Sequence, residues 1–185
     1  MRIATTSLPD VLLIEPARMR DERGWFSETW NMAKLRTAGI DIGFVQDNHS
    51  FSAGKGTLRG LHFQRPPHAQ DKLVYCTRGA IIDVAVDVRK GSPAYGAWLG
   101  VELSAENGRQ LLIPKGFLHG FATLTDNVEV HYKCSDVYAP ECDGAVRWDS
   151  VGIDWGVSRP LLSPKDAGAL SLSQFDSPFT YGGCI

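Results

Sequence analysis

Apolar and polar positions alternate along much of the chain. In residues 80–88, Ile82, Val84, Val86 and Val88 fall on one face, and Ile81, Asp83, Ala85 and Asp87 on the other. A period of two marks a strand. Similar runs occupy 58–64, 72–77, 98–104, 110–114, 121–124 and 128–135. Turn signals separate them: Arg78-Gly79, Gly91-Ser92-Pro93, Glu106-Asn107-Gly108 and Thr125-Asp126-Asn127. Many short strands at this spacing predict a mainly β protein, an antiparallel sandwich or barrel. One helix is predicted after Asn31, which caps a segment reaching Ala38, with Met32 and Leu35 on one face and Gly39 stopping it. A second, short helix is predicted near 164–169, and Trp148, Trp155 and Phe175 predict that the last third packs on the barrel.

Length and charge narrow the classes. The chain has 185 residues, which fits a single domain over 1–185, and no internal repeat or linker divides it. Its 43% hydrophobic and 22% charged residues are those of a globular protein. A formal charge of -2 argues against a globally basic nucleic-acid binder. No apolar run approaches the roughly 18 residues that span a bilayer, so no membrane partner is expected. The N-terminus lacks a basic-then-apolar signal pattern, and a cytoplasmic location is expected. Cys76, Cys134, Cys142 and Cys184 stand at no metal-ligand spacing and read as free thiols.

Several polar residues stand where a strand face should be apolar. On strict alternation Leu58, Gly60, His62 and Gln64 share one face, and Arg59 points outward unless Gly60 marks a bulge that re-aims it. A lone histidine on a strand is more often structural than functional. Tyr132 shares a face with Val130 and Cys134, and by itself reads as a core tyrosine. Lys72 shares a face with Val74 and Cys76, and alone reads as a solvated edge charge. Asp166 reads as a residue at a helix N-terminus and Arg23 as a turn charge.

The spacing G-x5-P-x-G-x2-H from Gly108 to His119 resembles the second sequence motif of the cupin superfamily. The stretch G-x5-H-x-Q from Gly56 to Gln64 resembles the first, with its second histidine replaced by Gln64. The implied fold is a cupin-type double-stranded β-helix, or jelly-roll barrel, with a few short peripheral helices. Only His62 and His119 remain as ligand-type residues of the cupin pattern, and two imidazoles rarely hold a transition metal, so the site reads as metal-free.

A wider set of stretches resembles one family, dTDP-4-dehydrorhamnose 3,5-epimerase. They are DERGWFSETW (21–30), FVQDNHSFS (44–52), GTLRGLHFQRPP (56–67), QDKLV (70–74), DVAVDVRKGSPAYG (83–96), LSAENGRQLLIPKGFLHGF (103–121), EVHYKCSDVYAPE (129–141), RWDS (147–150) and LLSPKDA (161–167). The resemblance implies an isomerase acting on a nucleotide-diphosphate sugar with a 4-keto group, working without a cofactor. It implies His62 as base, Asp166 as its orienting carboxylate, Tyr132 as acid on the other face of the sugar, and Lys72 as support for the oxygen on carbon 4. It implies substrate contacts from Arg23, Phe26, Glu28, Gln46, Asn48, Arg59, His119, Tyr138, Asp143 and Lys165. Family members often carry Glu where Asp143 stands. The resemblance also implies a homodimer in which Arg23 and Glu28 serve the neighbour's site. Three alternatives remain at this point: inversion of carbon 3 or carbon 5 alone, ketoisomerisation of a related sugar, and a non-catalytic cupin that binds a sugar nucleotide.

Overall fold

The structure is a computed structural model and describes residues 1–182; Cys184 lies outside them. In chain order the strands are β1 (Arg2–Thr5), β2 (Leu12–Glu15), β3 (Arg18–Asp21), β4 (Gly24–Ser27), β5 (Gln46–Ser52), β6 (Leu58–Gln64), β7 (Lys72–Arg78), β8 (Ala80–Asp87), β9 (Trp98–Ser104), β10 (Gln110–Ile113), β11 (Phe117–Thr123), β12 (Val128–Cys134) and β13 (Asp143–Ala145). Two short helices, α1 (Met32–Thr37) and α2 (Pro164–Ala167), complete the regular elements named here. A six-stranded sheet runs β1-β2-β10-β7-β12-β5 and a five-stranded sheet β13-β6-β11-β8-β9. From β5 to β13 the chain crosses between the two sheets at almost every step. That is the double-stranded β-helix the cupin motifs imply. The β3–β4 hairpin pairs with neither sheet.

Three apolar layers follow from the alternation. Val74, Cys76, Ile81, Ala85, Leu111, Ile113, Phe117, Val128 and Val130 pack between the sheets. The other face of β8 is not left to water. Val84, Val86 and Val88 are covered by the C-terminal segment through Trp155 and Phe179, with Trp148 and Phe175 beside them. On the outer face of the six-stranded sheet, Leu35 of α1 seats against Ile14, Leu73 and Leu112. Asn31 caps that helix, its side chain accepting from Lys34 N at 3.2 Å.

Some elements depart from the sequence reading. Strand β11 begins at Phe117, four residues before the predicted 121, because Gly116 turns the chain straight into the sheet with φ 88°. Strand β5 shows no apolar alternation because one face meets the cavity and the other solvent. Strands β1 to β4 and β13 are three or four residues long, too short for a period to register.

The pairing of β6 with β11 decides where the site forms. His119 lies opposite His62 but Phe121 opposite Arg59, so β6 carries one extra residue there. Gly60 sits at that bulge with φ 132°, and a Cβ on it would lie 2.6 Å from Gly120 Cα and 2.9 Å from the His119 carbonyl. Gly120 is restricted in turn, its Cβ position lying 2.8 Å from the Arg59 carbonyl. The two backbones meet with no room for a methyl group between them. Gly60→Ala therefore meets a backbone clash and an unfavourable φ together, and is expected to destabilise the fold by about 3 kcal/mol. Chemical denaturation of the purified variant measures it.

Candidate active site

The cavity opens between the sheets at the end where β6, β7, β11 and β12 converge. One lobe, of about 470 Å³, is lined by Arg59, His62, Lys72, His119, Tyr132 and Asp166 among others. A second lobe, of about 370 Å³, shares His62, Lys72, Tyr132 and Lys165 and adds Gln46, Asn48, Tyr138 and Asp143. The bulge at Gly60 brings Arg59 and His62 to the same cavity although three residues separate them.

His62 is held by α2. Leu161 is tied to the start of β6 through Leu58 N to its carbonyl, 3.0 Å, and its own N–H to Gly56 O, 2.9 Å. Ser163 then caps α2 by accepting from Asp166 N at 3.1 Å. This places the buried Asp166 carboxylate 2.5 Å from His62 Nε2. Burial pushes the Asp166 carboxyl up, but the His62 ring, Ser163 and the Gly60 backbone outweigh it and leave it below the usual carboxylate range. An ionised Asp166 accepts the Nε2 proton, which fixes the tautomer and leaves His62 Nδ1 as the proton acceptor.

Tyr132 and Lys72 come from neighbouring strands of the opposite sheet, where Tyr132 pairs with Val74 and Cys134 with Lys72. Burial raises the Tyr132 phenol above its ordinary value, with Cys134 adding to the rise, so it stays protonated and can donate. Burial lowers the Lys72 ammonium, only partly opposed by Cys134, Asp143 and Asp83. Lys72 therefore loses its charge at lower pH than a free lysine. The expected outcome is an alkaline fall in kcat/KM with a midpoint below the ordinary lysine value of 10.5. Lys72→Arg should move that limb to higher pH, since a guanidinium does not titrate there. A pH–rate profile of both proteins checks this, and a limb that moves in Lys72→Arg belongs to Lys72 rather than to the Tyr132 phenol.

A second histidine–carboxylate pair faces the first. His119 Nε2 lies 2.8 Å from Asp83 Oδ1, and both side chains are buried. Burial pushes the His119 imidazole down, more than Asp83 raises it, which keeps the ring neutral. Asp83 was not singled out from sequence. Its signal was an aspartate in mid-strand, flanked on its own face by Ile81 and Ala85, where an unpartnered carboxylate is costly. Its Oδ2 has no hydrogen-bond partner among the described residues.

The outer contacts divide into two groups. Gln46 and Asn48 lie on the cavity face of β5, joined at 3.0 Å, and Gln46 Oε1 accepts from Tyr138 N at 2.8 Å. Tyr138 stands at the mouth, its hydroxyl 3.2 Å from Asp143 Oδ2, and Lys165 pairs with the same carboxylate. Arg59 spends two of its N–H groups on Ser52 Oγ and the Phe51 carbonyl, leaving others for an anion. Gln64, at the place of the second cupin histidine, is structural here. Its amide donates to His68 O and Val137 O and accepts from Ala139 N, fastening the loop that carries Tyr138. Arg23, Phe26 and Glu28 stay outside this chain's own cleft. Arg23 is 89% exposed and pairs with Asp21, Glu28 pairs with Lys34, and Phe26 is 67% exposed on the β3–β4 hairpin.

The sequence model of dTDP-4-dehydrorhamnose 3,5-epimerase matches residues 5–174. The chain belongs to the dTDP-4-dehydrorhamnose 3,5-epimerase family. A dTDP-4-dehydrorhamnose 3,5-epimerase of Salmonella typhimurium is 51% identical over 178 residues, 94% of this chain and 97% of the relative. The crystal structure of a Legionella pneumophila dTDP-6-deoxy-D-glucose-3,5-epimerase, in complex with dTDP-4-keto-L-rhamnose, superposes with a TM-score of 0.93 at 42% identity, covering 98% and 99% of the two chains. A Bacillus anthracis dTDP-4-dehydrorhamnose 3,5-epimerase, solved with TDP and PPi bound, gives 0.90 at 47% identity over 92% of this chain and 99% of that one. The epimerase fold is thus shared over nearly the whole chain, including every strand that lines the cavity.

Proposed function

We propose that this chain inverts carbons 3 and 5 of dTDP-4-dehydro-6-deoxy-D-glucose to give dTDP-4-dehydro-L-rhamnose. The observation that carries the reading is the pairing of His62 with Asp166 across the cavity from Tyr132 and Lys72. The 4-keto group acidifies the hydrogens on the carbons beside it. His62 Nδ1 takes such a proton, and Asp166 stabilises the imidazolium that forms. The electron pair moves to the oxygen on carbon 4, where the Lys72 ammonium offsets the developing charge. Tyr132, on the opposite sheet, returns a proton to the other face of the carbon and so inverts it. Repetition at the second carbon needs the same groups and a rotated or repuckered sugar.

The nucleotide end runs along β5, from Arg59 beside Ser52 in the first lobe to Gln46 and Asn48 in the second. Arg59 offers guanidinium donors to the diphosphate, Gln46 and Asn48 offer amides to a pyrimidine edge, and Tyr138 offers a ring at the mouth. His119, neutral and oriented by Asp83, is a hydrogen-bonding group for the sugar. Asp143 and Lys165 neutralise one another at the rim. Arg23, Phe26 and Glu28 fit the cleft of a second copy in a homodimer, in keeping with an exposed hairpin that carries Met19, Trp25 and Phe26 uncovered. No cofactor enters this chemistry. No described helix is long and apolar enough to cross a membrane, and a cytoplasmic location fits the free thiols of Cys76, Cys134 and Cys142. Incubation with the 4-keto sugar, followed by a stereospecific 4-keto reductase and NADPH, tests the reading: dTDP-L-rhamnose should accumulate. Trapping of a product inverted at one carbon would assign a mono-epimerase instead.

A further inference from the structure

On the outer face of the six-stranded sheet, away from the cavity, three ligand-type side chains converge. His49 of β5 and His131 of β12 are direct partners in the register. Their rings stack at 3.9 Å with 13° between planes, and Tyr75 lies parallel beyond His131 at 5.6 Å. Glu129 stands two residues before His131 and so shares its face, with Oε2 at 3.3 Å from His49 Nε2. One ligand atom from each of His49, Glu129 and His131 lies within 4.8 Å of the others.

We propose that His49, Glu129 and His131 form a surface site for a divalent transition-metal ion of the zinc class. Two imidazoles and a carboxylate are the ligand types such ions take, with water completing a tetrahedron. Bonds of about 2.0–2.1 Å place tetrahedral ligand atoms roughly 3.4 Å apart, and the His49–Glu129 pair already stands at that separation. Coordination turns the two partly exposed rings out of their stack, so that both in-plane lone pairs meet one ion. The charges around the site favour it. Arg78 engages Glu129 through Oε1 at 3.6 Å and leaves Oε2 to face His49. Lys133 is occupied with Asp47 at 2.8 Å.

An ion here would staple β5, the edge strand of its sheet, to β12. The cavity faces of those same two strands carry Gln46, Asn48 and Tyr132. The site lies outside the catalytic centre and takes no part in the acid–base chemistry.

Calorimetric titration of the chelator-treated full chain with Zn²⁺ tests the assignment. The expected result is one high-affinity ion per chain, with a Tm raised by a few degrees in its presence. His131→Gln and His49→Gln should each weaken binding by about tenfold or more and abolish the Tm shift, while circular dichroism and epimerase turnover stay unchanged. Absence of Zn²⁺ binding by the unmodified protein up to about 1 mM, or undiminished binding by either variant, would overturn the proposal.

Discussion

His62→Asn is expected to cut kcat by about 10³-fold or more while leaving the affinity for the dTDP-sugar nearly unchanged. The His62 imidazole lines the cavity with the Asp166 carboxylate behind it, 2.5 Å away. The asparagine amide ends short of the Nε2 position, but the Asp166 carboxylate keeps its contacts with Ser163 and the Gly60 backbone, so it is not stranded and the fold should survive. What it removes is a lone pair able to become a cation. Steady-state kinetics in the reductase-coupled assay and calorimetry with the substrate separate the two effects. A variant within about tenfold of normal turnover would mean that another group is the base.

Tyr132→Phe carries the second large effect, and its character differs. The phenol's proton is the one delivered on the far face, and burial keeps that phenol protonated. Removing the hydroxyl leaves His62 able to take a proton and return it to the same face. Inversion should fall by about 10²–10⁴-fold, yet the substrate should still exchange hydrogen with solvent. Exchange without inversion, followed by NMR, distinguishes loss of the acid from general damage to the cleft. The ring that packs beside Val130 and Val74 is retained, so the core loses no apolar contact.

How far the sequence foretold this site depends on the length of each element. The long strands β6, β8, β9 and β12 alternate over seven or eight residues, enough for their faces to be read directly. The bulge was legible as a condition attached to Gly60, because only a residue without Cβ permits that approach of two backbones. What alternation could not reveal was which polar residues are buried. Asp83 and Asp87 share a face that looks half-solvated in sequence, yet both are fully buried, because β8 lies in the middle of a sheet covered on both sides. Strand β5 escaped for the opposite reason: Gln46, Asn48 and Ser50 face a polar cavity, so no apolar stripe exists to find. Gln64 looked like a lost ligand and is a loop fastener. The motif resemblance supplied what periodicity cannot, the association of Asp166 with His62 across more than a hundred residues of chain.

The central claim is that one acid–base set enolises the sugar on both sides of its ketone. Counting deuterons tests it most directly. The purified protein is incubated with dTDP-4-dehydro-6-deoxy-D-glucose in deuterated water without reductase, and label is located by mass spectrometry and proton NMR. The account predicts one deuteron at carbon 3 and one at carbon 5, with both lost in His62→Asn. Label at a single carbon, or none at either, would contradict it.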